Sequence, residues 1–418
     1  MFLKRWFRLG LFEAVGVELE YMIVDRETLD VRPIADALMK AAVGTPQSEV
    51  EQGAMAWSNE LALHVIELKT NGPVPHLGGV AEGFLENVGR VNALLEPMGA
   101  RLMPGAMHPW MDPEAELALW PHEYAAVYEA FDRVFGCRGH GWANIQSTHL
   151  NLPFADDEEF GRLHAAIRLV LPILPALAAS SPVAGGEQTG TLDTRLSCYR
   201  AQARRVPSVS GLVIPEAIFT RDEYTERVLG RIYEDLASRD PDGTLRHEWV
   251  NARGAIPRFD RGSIEIRLLD VQECPAADLA IAAAVIRVVR ALALGEFAGD
   301  RAQRRWQPGP LAAILGDTTQ DAERALVRDR AYLDLFGFPG SGLASAGELW
   351  WHLIERTLAR DPGYDAWAGT LRAILDEGCL ARRIAERLQG DVRRERLHEV
   401  YEELCRCLAA GRMFRGRA

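Results

Sequence analysis

In the stretch AVGVELEYMIV, Ala14 to Val24, apolar and polar positions alternate. A strand points successive side chains to opposite faces. Val15, Val17, Leu19, Tyr21 and Ile23 therefore share one face, and Gly16, Glu18, Glu20 and Met22 the other. The first face suits a core. The second carries two carboxylates side by side, which repel unless solvent, a cation or a bound proton compensates them. Taken alone, this reads equally well as a half-exposed strand with a wet acidic face.

Three later segments repeat the pattern. In NELALHVIELKTNGP, Glu67 and Lys69 interrupt a β-prone run. In NIQSTHLNLPF, Ser147, His149 and Asn151 share a face opposite Thr148, Leu150 and Leu152. In RGSIEIRLLD, Glu265 and Arg267 are backed by Ile264, Ile266 and Leu268. Singly, a Glu–Arg pair two apart is most often a surface ion pair, and a strand histidine most often a hydrogen-bonded core residue. Four such strands call for a shared explanation. Paired in one curved sheet, they would bring Glu18, Glu20, Glu67, His149, Asn151, Glu265 and Arg267 to its concave face.

Periodicity along the whole chain predicts strands at 14–24, 60–69, 100–106, 144–153, 247–253 and 263–270, and helices at 78–98, 121–135, 157–178, 221–238 and 276–297. From about residue 300 the pattern is helical, as in AGELWWHLIERTLARD and RRERLHEVYEELCRCLAAG, with Gly378 and Gly411 at helix ends. Strands and helices do not alternate in strict βαβ order. The expectation is an α+β fold: a curved, mainly antiparallel sheet with outer helices over residues 1–300, and a helical C-terminal region, 301–418, packed on it in one continuous domain.

Composition narrows the function. The 418 residues are 48% hydrophobic and 25% charged, with a formal net charge of -12, which argues against an electrostatic nucleic-acid binder. Six scattered cysteines without two-residue spacing suggest reduced thiols in a cytoplasmic protein. The opening MFLKRWFRLGLFEAVG lacks a long apolar core and a small-residue cleavage site, so it reads as a structural lead-in. No stretch is apolar and long enough to predict a membrane span. There is no Walker loop and no GxGxxG, so a phosphate site would be built another way.

Four carboxylates and an imidazole make a hard, oxygen-rich set suited to Mg²⁺ or Mn²⁺, cations that share their coordination with substrate phosphates. Arginines are at hand: Arg195 and Arg200 close ASSPVAGGEQTGTLDTRLSCYRAQ, and Arg253, Arg258 and Arg261 precede the Glu265 strand. A guanidinium can hold phosphate or carboxylate bidentately. Alone, such a Gly-, Ser- and Arg-rich loop reads first as a solvated connector. Together with the acidic strands, it suggests phosphoryl chemistry on a nucleotide.

Five segments, in order, carry a resemblance: VGVELEYMIVD, VIELKT, STHLNLPF, ASSPVAGGEQTGTLDTR and EWVNARGAIPRFDRGSIEIRLLD. The chain resembles the second class of the glutamate–cysteine ligase family, the bacterial carboxylate–amine ligases. That resemblance implies a glutamine-synthetase-like fold, an open funnel of antiparallel strands. It also implies ATP and two or three Mg²⁺ or Mn²⁺ ions, with Glu18, Glu20, Glu67, His149 and Glu265 as ligands. Arg195, Arg253 and Arg267 would be catalytic, contacting phosphate or the substrate carboxylate. Asn151, Arg258 and Arg267 would meet the cofactor. The implied reaction joins a glutamate-like acid to an amine acceptor, cysteine or another, through an acyl phosphate, with no nucleic acid or membrane partner; a homodimer is allowed. The Gly-rich segment 184–191 is the candidate covering loop.

Several positions depart from the family. The histidine strand reads THLNL, where many relatives carry two alternating histidines. His64 and Lys69 stand where relatives vary, and EWVNARG replaces a commoner run. These departures line the region expected to choose the substrates. Rival readings are a guanidino-group kinase or metal-dependent hydrolase on a related funnel, or a silent relative that only binds a nucleotide or amino acid.

Overall fold

In the computed structural model of the chain, which describes residues 9–340 and 342–416, eight strands pair into one antiparallel sheet. They are β1 (Gly16–Asp25), β2 (Glu49–Gln52), β3 (Met55–Asn59), β4 (Val65–Thr70), β5 (Ala100–Met103), β6 (Ser147–Pro153) and, after a separate ribbon of β7 (Val183–Ala184) and β8 (Glu187–Gln188), β9 (Ala255–Arg258) and β10 (Ser263–Asp270). The order is β2-β3-β4-β1-β6-β10-β9. Met22 pairs with Val65 of β4 on one edge and Met103 of β5 on the other, so β5 runs on along β1 beyond β6. The lead-in expected at the start falls partly on residues 1–8, outside the described residues.

The alternation of β1 sets the layering. Val17, Leu19, Tyr21 and Ile23 are fully buried in the main core, with Phe84 and Val88 of the helix Val80–Leu95 and Ile167 of the helix Asp157–Val170. The same core takes in the almost wholly buried helix Pro275–Ala293 and reaches Leu353 and Leu408 near the C-terminus. On the opposite face, Glu18 and Glu20 give way to Met22 and Val24. These two join a second apolar cluster with Leu380 and Ile384 of the helix Leu380–Leu388, Leu397 and Tyr401 of the helix Arg394–Ala410, and Phe414. One half of the open face is therefore acidic, and the C-terminal helices cover the other half.

Some elements differ from the sequence expectation. The segment 60–69 is strand only from Val65. Before it lies an unexpected hairpin, β2 and β3, turned over Gly53–Ala54 with Gly53 at φ 71°, a tight connection that suits glycine. Residues 247–253 form no strand; Glu248–Val250 is a 3-10 turn, and pairing begins at Ala255. The helix expected at 157–178 is interrupted at Leu171–Ile173, where Pro172 and then Pro175 cannot donate the helical bond. The helix Thr194–Gln202 lies inside what reads as a connector; Asp193 caps it, accepting from Leu196 N at 2.8 Å.

Candidate active site

Cross-strand register brings the polar positions together. Directly paired residues share a face, and the pairs run across the sheet: Ser58 with Glu67, Glu67 with Glu20, Glu18 with His149, and Asn151 with Glu265. Strands scattered over more than two hundred residues thus form one polar row. They floor a cavity of about 790 Å³, lined among others by Glu18, Glu20, Glu60, Glu67, His149 and Glu265.

The row is bonded within itself. His149 Nδ1 lies 3.1 Å from Glu18 Oε2, and Asn151 Nδ2 donates to Glu18 Oε1 at 3.0 Å. Glu20 Oε2 accepts from the Ser147 backbone N–H at 2.7 Å and from its hydroxyl at 3.0 Å. Ser58 donates to Glu67 at 2.5 Å, and Lys69 Nζ lies 3.2 Å from Glu67 and 3.0 Å from Glu49. Glu265 is held by Arg258 at 3.2 Å and by Nε, at 3.1 Å, and Nη2 of Arg267.

Charge in this enclosed space is unevenly distributed. Burial opposes ionisation of Glu18, but its bond to His149 together with the His149 and Lys69 charges outweighs that and holds the carboxyl at about 2. Burial would also lower His149; its bond to Glu18 and the charges of Glu20 and Glu265 instead raise it to about 9. Burial, then the Glu18 charge, pushes Glu67 up to about 7. Burial, Glu20 and Glu67 push Glu60 well above the usual carboxylate range. Against burial, Arg267 and Arg258 keep Glu265 far below it. The β4 side of the cavity gathers more carboxyl groups than its own cations, Lys69 and His149, can pair.

That excess is where divalent cations fit. Glu18, Glu67 and His149 offer ligand atoms within 4.8 Å of one another, and so do Glu20, Glu60 and Glu67. Carboxylate oxygens with one imidazole nitrogen suit Mg²⁺ or Mn²⁺. Glu60 was not legible as a candidate: it follows the last residue of β3, where no alternation marks it. Glu265 stands outside both groups, between its two arginines.

The arginines divide. Arg267, Arg258 and Arg195 line the cavity, Arg195 fully buried with Nε on Asp270. Arg253 does not line it. Its guanidinium makes a bidentate pair with Glu216, at 2.6 and 2.7 Å, and reaches the Ser208 carbonyl. The expected phosphate or carboxylate contact by Arg253 is therefore corrected: it lies in a loop before β9 and turns toward the half-buried Glu216. Asn151 likewise acts on Glu18 rather than facing the cavity. His64 is buried away from the lining, whereas Lys69 is part of it.

The covering segment also differs from expectation. None of residues 184–191 lines the cavity; part of that stretch forms the β7–β8 ribbon, with Gly186 N bonded to Pro109 O. The lining beyond the sheet includes residues of the stretch Tyr124 to Phe131, Trp142 and Ile145, Arg195, Tyr199 and Gln202, and residues of the stretch His247 to Ala252. Phe131 neighbours both Trp142 and Trp249, with ring centroids 5.2 Å apart for Phe131–Trp142 and 5.6 Å for Phe131–Trp249. Trp249 belongs to the departing segment EWVNARG.

Comparison with known proteins agrees with this architecture. The glutamate–cysteine ligase family 2 profile matches residues 14–403. An uncharacterized protein of Archaeoglobus fulgidus is 38% identical over 277 residues, covering 66% of this chain and 74% of that one. A Corynebacterium glutamicum protein provisionally named glutamate–cysteine ligase 2 is 24% identical over 391 residues, 88% of this chain and 94% of its own. Among solved structures, a glutamate–cysteine ligase from Francisella tularensis in complex with AMP aligns with a TM-score of 0.58 over 99% of this chain and 91% of that one, at 12% identity. At that identity the likeness is one of fold.

Proposed function

The chain belongs to glutamate–cysteine ligase family 2, and from that premise we propose that it is an ATP-dependent carboxylate–amine ligase that forms an amide through an acyl phosphate. The observation that carries the reading is the juxtaposition, in one cavity, of an over-supplied carboxylate row with Arg258 and Arg267 on the adjoining strands.

Glu18, Glu67 and His149, with Glu20, Glu60 and Glu67, would hold Mg²⁺ or Mn²⁺. When bound, such ions reverse the field of the carboxylates and neutralise phosphate oxygens that would otherwise be repelled. Arg258 and Arg267 lie where they can exchange part of their contact with Glu265 for oxygens of the transferring phosphoryl group. A substrate carboxylate attacks the γ-phosphorus and ADP leaves; the amine then attacks the carbonyl carbon and phosphate leaves. The aromatic and aliphatic lining opposite the sheet keeps water from the acyl phosphate between these steps. Asn151 and Ser147 hold Glu18 and Glu20 in position.

A glutamate-like acid and cysteine are the first pair to examine, since relatives carry that name. The six cysteines are free, which supports a reducing, cytoplasmic setting. Among the described residues, no helix is long and apolar enough to cross a membrane.

The test is ADP release with Mg²⁺ or Mn²⁺ over pairs of acids and amines. A ligase releases ADP only when both are present. Release with a guanidine alone would indicate a kinase, and ATP-independent amide cleavage a hydrolase. No release with any pair would leave the reading without support.

A further inference from the structure

One helix joins the acidic row to the aromatic lining. Arg195, Tyr199 and Gln202 of the helix Thr194–Gln202 all line the cavity; at i, i+4 and i+7 they share one helix face. They span about 10 Å at 1.5 Å per residue. At one end, Arg195 bonds Asp270 and lies 3.5 Å from the Arg267 carbonyl. At the other, the Gln202 carbonyl accepts from Trp142 Nε1 at 3.3 Å. Gly141 permits that contact: a Cβ there would sit 2.8 Å from the Cys198 carbonyl and 2.9 Å from Gln202 Cβ.

One polar group on this face has no hydrogen-bond partner. Gln202 Oε1 is unpaired although the residue is only 8% exposed, whereas the equally buried Tyr199 turns its hydroxyl to Arg267. Leaving such a group unpaired in a buried setting is costly, and a ligand in the cavity would satisfy it. Beside it stands a wall of Val127, Phe131, Trp142, Ile145 and Trp249. None of these five is charged. Trp142 Nε1 is already bonded, and no side-chain atom of the wall is an unpaired buried polar group among the described residues.

Resting on the ligase reading above, we propose that the acceptor is a primary amine bearing an aromatic ring, with its nitrogen toward Gln202 and its ring against Phe131, Trp142 and Trp249. The unpaired Gln202 oxygen suits an N–H donor, which the amine has and a carboxylate lacks. The wall suits a large planar apolar group: a ring covers far more of it than the side chain of cysteine. In the step itself the amine nitrogen bonds to the acyl carbon, the bond from that carbon to the phosphate oxygen breaks with its electron pair, and the nitrogen releases a proton to solvent or phosphate.

Calorimetric titration of the full chain, with Mg²⁺ and ADP present, tests this with 2-phenylethylamine, ethylamine and cysteine as probes. The expected result is saturable binding of 2-phenylethylamine about 10-fold or more tighter than that of ethylamine or cysteine. Gln202→Ala and Trp142→Leu should each weaken it about 10-fold while leaving ADP affinity within about twofold. Tighter binding of cysteine, no saturable binding of the aromatic amine, or variants that weaken ADP instead would each overturn the proposal. ADP release measured in parallel keeps the two ideas apart. Ring binding without turnover for any acid supports the pocket and counts against the ligase, whereas turnover with cysteine preferred does the reverse.

Discussion

Glu20 and Glu67 face each other as direct cross-strand partners on β1 and β4. Like charges in that relation destabilise a sheet, and neither carboxylate is exposed enough for water to screen it. Ser147 and Ser58 each donate to one of them, and Lys69 serves Glu67. The pair is thus held together by neighbours at a cost that a divalent cation would remove.

Glu67→Gln separates that cost from function. A carboxyl raised from 4.5 to about 7 makes the fold lose stability as pH climbs through that window. At pH 8, without metal, the variant should melt at the same temperature as the wild type or a few degrees higher, by about 1 kcal/mol. ADP release should fall about 100-fold or more, and Mg²⁺ should raise the melting temperature of the wild type alone. Calorimetry and a coupled ADP assay check both. An unaltered turnover would remove Glu67 from the cation site.

The two classes of arginine should respond differently. Arg267→Lys replaces a planar fork by a point charge; kcat should drop about 10- to 100-fold with little change in melting temperature. Arg253→Lys breaks the bidentate pair with Glu216 away from the cavity. Its melting temperature should drop while kcat and KM at a permissive temperature stay within about twofold. Steady-state kinetics on both proteins decides the division, and a reversal of the two patterns would refute it.

Three buried histidines make the fold sensitive to acid. Burial lowers His64 and His164 to about 3 and His108 to about 4, with the His108 charge adding to the effect at His64. Each stays neutral when folded and takes up a proton, at about 6.5, only when unfolded. Stability is therefore full above pH 6.5 and lost as pH falls, by about 1.4 kcal/mol per pH unit for each histidine. Melting temperature should decline steeply from pH 6.5 toward 4.5. His164→Phe, which keeps a ring beside Phe160 and Tyr224, should flatten that decline.

Gly141→Ala probes the seat of Trp142. The added methyl meets a backbone carbonyl and Gln202 Cβ at less than 3 Å, an overpacking that costs about 1–3 kcal/mol. Melting temperature should fall, and intrinsic tryptophan fluorescence should shift as Trp142 moves. Identical spectra would mean that the short helix His140–Ala143 and the helix Thr194–Gln202 part without disturbing the cavity.

How much of this could be read in the sequence depends on where each residue sits. Glu18, His149 and Glu265 interrupt strands whose other face is aliphatic, so alternation exposes them. Glu60 escapes because it follows the end of a strand, where no alternation operates. Tyr199 and Gln202 escape because their helix begins inside a Gly- and Thr-rich stretch that carries the marks of a connector. Arg253 and Arg267 are alike in type and in their closeness to the Glu265 strand. Only the β-bulge that follows Ile266 and the half-buried Glu216 send them in different directions. The aromatic wall gathers rings from three distant segments, and no local pattern records that.

The cover that the last two helices lay over Met22 and Val24 bears on how the protein is made. The strand bearing Glu18 and Glu20 leaves the ribosome early, yet its partner β6 lies more than a hundred residues downstream, and the apolar cluster beneath it needs Phe414. Synthesis proceeds at about 5–20 residues per second, so β1 waits tens of seconds with an apolar patch and two carboxylates unmatched. Nascent chains stalled before residue 380 should engage chaperones and be cleaved by added protease. Completion of the final turns converts them to the resistant form.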